Sequence, residues 1–285
     1  MRIRNGSAGL NVEIDGDDTA PPVVLLHGII MSARTWDWMV PHLADRYRVI
    51  RLDFRGHGDS DRTPGRYQPA DYVSDAIAVC EQVAQQPVAM IGHSLGGGTA
   101  AALAQLRPDL VRGVLLEDPP LSMPTRTEGS TNALLDGFAL MRQSIPAMQE
   151  AGTGVDTLTA ILTAAPSASG GTFGELLHTD GIRAMAASML RVDATVLDPV
   201  LAGTMTPAFD PMLGISVPVT VLGADPTSPD AVVRQADLDQ LSRASPHADG
   251  RVLVGSSHLM HDLLTHRDDF WAIVAVFLDS LGAPA

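Results

Sequence analysis

Residues 88–103 read Val88-Ala89-Met90-Ile91-Gly92-His93-Ser94-Leu95-Gly96-Gly97-Gly98-Thr99-Ala100-Ala101-Ala102-Leu103. The apolar run Val88–Ile91 stops at a glycine, as a buried strand does, and the small-residue run from Gly97 reads as a helix. Between them stands Gly92-His93-Ser94-Leu95-Gly96, a G-x-S-x-G motif in a strand–turn–helix setting. A sharp turn there lifts the Ser94 hydroxyl above the strand end. The flanking glycines leave room where a side chain would strike neighbouring backbone. The helix N-terminus adds partial positive charge beneath the hydroxyl. Ser94 is therefore the first candidate nucleophile.

Working outward, five further apolar runs stop at small or polar residues: Val23–Leu26 at His27-Gly28, Tyr47–Leu52 at Asp53, Gly113–Leu116 at Glu117-Asp118, Val217–Leu222 at Gly223, and Arg251–Val254 at Gly255. Together with Val88–Ile91 they predict buried parallel strands. Val73, Ala76, Ile77, Cys80, Val83 and Ala84 recur at helical spacing, and so do Phe270, Ile273, Val274, Phe277 and Leu281. Strands alternating with helices predict an α/β fold, a mostly parallel sheet flanked by helices. Right-handed crossovers then bring the strand C-terminal ends, where ligands bind, to one edge. The alternation breaks across 121–213, which reads as helices. The expected division is a core domain of residues 1–120 and 214–285 with an inserted helical cap.

Composition removes several other function classes. The chain has 285 residues, 45% hydrophobic and 18% charged, an ordinary globular balance. Its 33 acidic and 19 basic residues give a net charge of −14, which opposes binding to nucleic acid or an anionic membrane surface. Every basic residue is arginine, so Schiff-base and Walker lysines are excluded. The single cysteine, Cys80, lies on a helical apolar stripe and is expected in the core, with no internal disulfide. The first residues contain no apolar signal segment, and the expectation is a soluble, cytoplasmic protein.

Several segments carry a resemblance to the α/β-hydrolase fold family over almost the full chain. Leu25-Leu26-His27-Gly28 looks like its oxyanion-loop motif, Asp53-Phe54-Arg55-Gly56-His57-Gly58-Asp59-Ser60 like its D-x-R-G-x-G-x-S turn, and Val254-Gly255-Ser256-Ser257-His258 like its final strand and histidine turn. The resemblance implies Ser94 as nucleophile, with backbone N–H groups of Leu95 and Ile29 as the oxyanion hole. Of the nine histidines, His258 is preferred as base over His261, because it falls in the loop at the active edge. His258 and His261 also form H-x-x-H, but no glutamate follows His258 and no third ligand is evident, so no metal and no other cofactor is expected.

The acid stays open between two aspartates. Most family members place it after the strand following the cap, where this chain reads Gly223-Ala224-Asp225-Pro226, with the aspartate one position early. Haloalkane dehalogenases and zearalenone-type lactonases carry a carboxylate at the place of Asp118, which is favoured here; Glu117 should point to the opposite face of its strand. Serine at position 94 argues against the aspartate-nucleophile dehalogenases and epoxide hydrolases. The expected activity is cleavage of a small hydrophobic ester or lactone, and the Glu117–Pro120 turn and the Ser257–His261 run have a local likeness to zearalenone-type lactonases. Trp36 and Met123 are candidate pocket residues, with Trp38 beside them. The alternatives are C–C bond hydrolysis, thioester hydrolysis or perhydrolysis on the same triad, or a ligand-binding receptor on the same scaffold. The oligomeric state is not legible.

Overall fold

Apolar residues on both faces of the central strands require cover on both sides, and this sets the architecture. The structure, a computed structural model, describes residues 1–122 and 133–282. Its strands are β1 (Arg2–Asn5), β2 (Ala8–Asp15), β3 (Pro22–Leu26), β4 (Arg48–Leu52), β5 (Val88–His93), β6 (Val111–Glu117), β7 (Val219–Gly223) and β8 (Ala248–Val252). They form one eight-stranded sheet in the order β1-β2-β4-β3-β5-β6-β7-β8. From β4 to β8 the pairs are parallel; β1–β2 and β2–β4 are antiparallel.

Side-chain alternation divides the core. Val24, Leu26, Met90, Val114 and Leu116 enter one hydrophobic cluster, with the helices Pro69–Val79 and Leu95–Leu106. Val23, Leu25, Ile91 and Leu115 enter the other, against Trp36, Met39 and the helix Arg267–Ser280 through Phe270, Val274 and Phe277. Cys80 is buried in the first cluster, and burial pushes its thiol up to about 12.

The sheet exceeds the six expected strands by an N-terminal hairpin. In β1 only Ile3 is buried, so this short edge strand carries no apolar run to announce it. The last strand also lies earlier than the apolar run Arg251–Val254. β8 pairs with β7 alone, its side chains are largely exposed, and Val254 stands beyond its end, 79% exposed. Between β6 and β7 the described elements are helices, chiefly Ala133–Glu150, Val155–Ala164 and Thr179–Met189. Among the described residues no helix is long and apolar enough to cross a membrane.

Candidate active site

Ser94 joins β5 to the helix Leu95–Leu106 with φ of +51°, a left-handed conformation seldom taken by a residue with a side chain. The surrounding packing holds it there. Its N–H donates to Glu117 O at 2.8 Å and its C=O accepts from Gly98 N–H at 2.9 Å. A Cβ at Gly96 would lie 2.2 Å from Leu26 O, so β3 and the turn approach closely only because residue 96 is glycine. Leu95 opens the helix, so its N–H has no partner within the helix.

The chain after β3 passes beside this turn. A Cβ at Gly28 would meet His93 Nδ1 at 2.6 Å and Ser94 Cβ at 3.4 Å. Met31 N–H donates to Gly28 O at 3.1 Å, closing a turn through Ile29 and Ile30, and Ile30 has φ of +65°. His27 locks the loop. Its Nδ1–H donates to Gly28 O at 2.8 Å and its Nε2 accepts Phe54 N–H at 3.1 Å. Burial lowers its pKa to about 4, so it is a neutral structural link. His57, which donates to Arg55 O, is likewise buried and lowered to about 3.

His258 and Asp118 meet at the same edge. His258 Nδ1–H donates to Asp118 Oδ2 at 2.7 Å. Asp118 itself has φ of +40° and is fully buried. Its carboxylate also accepts backbone N–H groups of Ala224, Val232 and Val233 at 3.2, 3.0 and 2.9 Å. These bonds satisfy a charge that would otherwise be costly to bury. Burial alone would lower the His258 pKa, but the hydrogen bond and charge of Asp118, with Asp230 and Glu117, raise it above the ordinary value of 6.5.

The alternative acid is not at the histidine. Asp225 caps its own turn, accepting Thr227 N–H at 2.8 Å and Thr227 Oγ1–H at 2.6 Å, and ties Gly255 N–H at 2.7 Å. Its early position in the turn fits this local use. Glu117 points to the opposite face of β6, where its carboxylate accepts from His261. His93, next to Ser94, donates Nε2–H to His258 O at 3.0 Å; burial, with His258 and His261 nearby, holds its pKa well below 6.5.

A cavity of about 310 Å³ opens over Ser94. Ile29, Leu95, Gly98 and Thr99 line its floor, and Leu134, Phe138, Val200, Met205 and Phe209 of the helical insertion line its roof. No charged side chain is among its described lining residues. Trp36 is not part of it. It is buried on the other face of the sheet, 4.7 Å from the His261 ring and stacked near Phe270. Trp38 lines a separate cleft and lies under the Arg267 guanidinium. Met123 lies outside the described residues. Phe138, Met205 and Phe209 went unrecognised in the sequence, because nothing in the periodicity of the insertion marks which apolar residues face the sheet edge.

A family model described as alpha/beta hydrolase fold matches residues 21–143. The chain is 29% identical over 148 residues to 2-(acetamidomethylene)succinate hydrolase of Mesorhizobium japonicum, covering 52% of each chain. It is 36% identical over 122 residues to (E)-2-((N-methylformamido)methylene)succinate hydrolase of Acinetobacter baylyi, covering 43% of this chain and 45% of that one. It thus matches about half the length of these curated relatives. Among solved structures, the enol-lactonase of Burkholderia xenovorans superposes with a TM-score of 0.71 at 20% identity, over 98% of this chain and 100% of that one. The sheet order, the turn at Ser94 and these similarities agree: the chain has the α/β-hydrolase fold, and its residues 21–143 match that family's model.

Proposed function

We propose that the protein is a cofactor-independent serine hydrolase that cleaves a hydrophobic carboxylic ester or lactone. The observation that carries this reading is the position of Ser94 on a left-handed turn at the floor of an apolar cavity with no charged side chain among its described lining residues, at the edge where His258 is bonded to Asp118.

Asp118 holds the Nδ1–H tautomer and leaves His258 Nε2 free to take the Ser94 proton. Ser94 Oγ then attacks the carbonyl carbon, and the C=O electron pair moves onto oxygen. The N–H groups of Leu95 and Ile29 stabilise that oxyanion, each worth roughly 3 kcal/mol in such sites. Collapse expels the alcohol, protonated by His258, or opens the lactone ring. Water then attacks the acyl-enzyme by the same route, with His258 again as base. The helical insertion serves as a cap that closes over the acyl group. The succinate-derived compounds named for the two relatives carry carboxylates, whereas the described lining here offers them no cation, which favours an uncharged substrate.

The test is fluorophosphonate labelling combined with a panel of p-nitrophenyl esters and lactones of graded size. The expected outcome is a covalent adduct on Ser94, turnover of apolar substrates, and loss of both in Ser94→Ala. Turnover that survives Ser94→Ala overturns the reading.

A further inference from the structure

A second buried histidine–carboxylate pair lies beside the first and shares its strand. His261 Nδ1–H donates to Glu117 Oε2 at 2.7 Å, and His261 backbone N–H donates to Glu117 Oε1 at 2.9 Å. His261 Nε2 is paired with Thr35 Oγ1 at 3.0 Å. Glu117 and His261 are fully buried and Thr35 is 1% exposed. The order hydroxyl, imidazole, carboxylate is that of a catalytic relay, but Thr35, although it borders the cleft at Trp38, is itself almost fully buried and its hydroxyl is bonded to His261. These bonds act as a brace.

What the brace connects gives it a role. The Glu117 carbonyl accepts the Ser94 N–H, and the next residue, Asp118, holds His258. His261 lies three residues after His258, in the short 3-10 turn Met260–Asp262, and Thr35 follows the Gly28–Met31 turn. His93 fills the space between the two histidines, its ring 4.7 Å from His258 and 5.0 Å from His261. We propose that Glu117 and His261, with Thr35, are positioning residues that hold the Ser94 turn, the His258 turn and the oxyanion loop in their mutual geometry. This inference rests on the serine-hydrolase reading above.

Charge belongs to the device as well as shape. Among the described residues, the charged or titratable groups facing His261 are Glu117 on β6, His93 on β5, Asp262 with Oδ2 3.6 Å away, and Arg267 on the C-terminal helix. Arg267 donates to His261 O at 2.9 Å and pairs with Asp262 and Asp180. Against the effect of burial, Glu117 and Asp262 hold the His261 pKa above 6.5. His258 is faced by Asp118, Asp230 and His93, and feels the Glu117 charge from the far side of β6. Glu117 therefore contributes an anionic field to His258 without touching it.

The experiment compares the rate of Ser94 labelling by a fluorophosphonate against pH, at equal folded fraction, in wild type, Glu117→Gln, Glu117→Asp and Thr35→Val. Labelling in Glu117→Gln and Thr35→Val is expected to slow on the order of tenfold to a hundredfold, as small misplacements of reacting groups do. The pH midpoint is expected to fall in Glu117→Gln, which loses the carboxylate charge, and to stay in Thr35→Val. Glu117→Asp should keep the wild-type midpoint while slowing labelling. A drop in thermal stability with unchanged labelling rates and midpoints in the folded variants overturns the proposal. Should Glu117→Gln not fold, the labelling rates of Glu117→Asp and Thr35→Val decide: slowed labelling at equal folded fraction supports the positioning role, and wild-type rates overturn it. Absence of labelling in the wild type instead overturns the serine-hydrolase reading, and this inference with it.

Discussion

His258 Nδ1 stands 2.7 Å from Asp118 Oδ2, although the two residues are 140 positions apart. They meet because β6 and the loop after β8 end at the same edge of the sheet. Asp225 sits nearer in sequence and spends its carboxylate on Thr227 and Gly255. Asp118→Asn should therefore lower kcat by a factor on the order of 10⁴, because the amide no longer selects the Nδ1–H tautomer. Asp225→Asn should stay near wild type in kcat and lose at most some stability. Steady-state kinetics of both variants checks this, and the reverse ranking would return the acid to Asp225.

On the proposed mechanism, in which only neutral His258 accepts the serine proton, activity should rise with pH through a midpoint above 6.5, because its neighbours raise its pKa. A kcat/KM profile that titrates below 6.5 contradicts this.

Stability should respond to acid in the opposite limb. His27, His57 and His93 are buried and neutral, with pKa values lowered to about 4, to about 3 and well below 6.5. As pH falls below 6.5 the unfolded chain takes up protons that the folded chain refuses. Each group then costs up to about 1.4 kcal/mol per pH unit until its own folded pKa is reached. The raised pKa values of His258 and His261 act elsewhere: their contribution is full below 6.5 and is lost as pH rises through their folded values. Urea denaturation at pH 7 and pH 5 should show the loss, and His57→Asn should make its slope shallower.

The cavity walls should control substrate size and polarity. Phe138→Ala and Phe209→Ala are expected to raise KM for long apolar acyl groups on the order of tenfold, with kcat changed less, because they remove contact area and no reacting group. Equal losses for acetyl and long-chain substrates would remove these residues from the pocket.

Two glycine substitutions should diverge. Gly96→Ala places a Cβ 2.2 Å from Leu26 O and should prevent the turn from seating, giving insoluble or unlabelled protein. Gly137→Ala, in the helix Ala133–Glu150, meets no atom within 4 Å among the described residues and should stabilise by up to about 1 kcal/mol. Thermal unfolding of the pair is the check.

The sequence by itself determined the fold class and the place of the candidate nucleophile. Both rest on local patterns: apolar runs ending in glycine, helical spacing, and a G-x-S-x-G turn whose neighbours must be small. It also narrowed the base to His258 and the acid to two positions, because each lies just after a strand and strand ends share one edge. Only the tertiary structure decided which carboxylate meets the imidazole, since that depends on how the turns after β6, β7 and β8 pack together. Tertiary packing likewise sent Trp36 to the far face of the sheet and brought Phe138 and Phe209 to the cavity. The edge strand β1 escaped the sequence, and the edge strand β8 was expected three residues too late, for a related reason: a strand paired on one side needs few apolar residues, so its position is recorded in its partner's hydrogen bonds and scarcely in its own side chains.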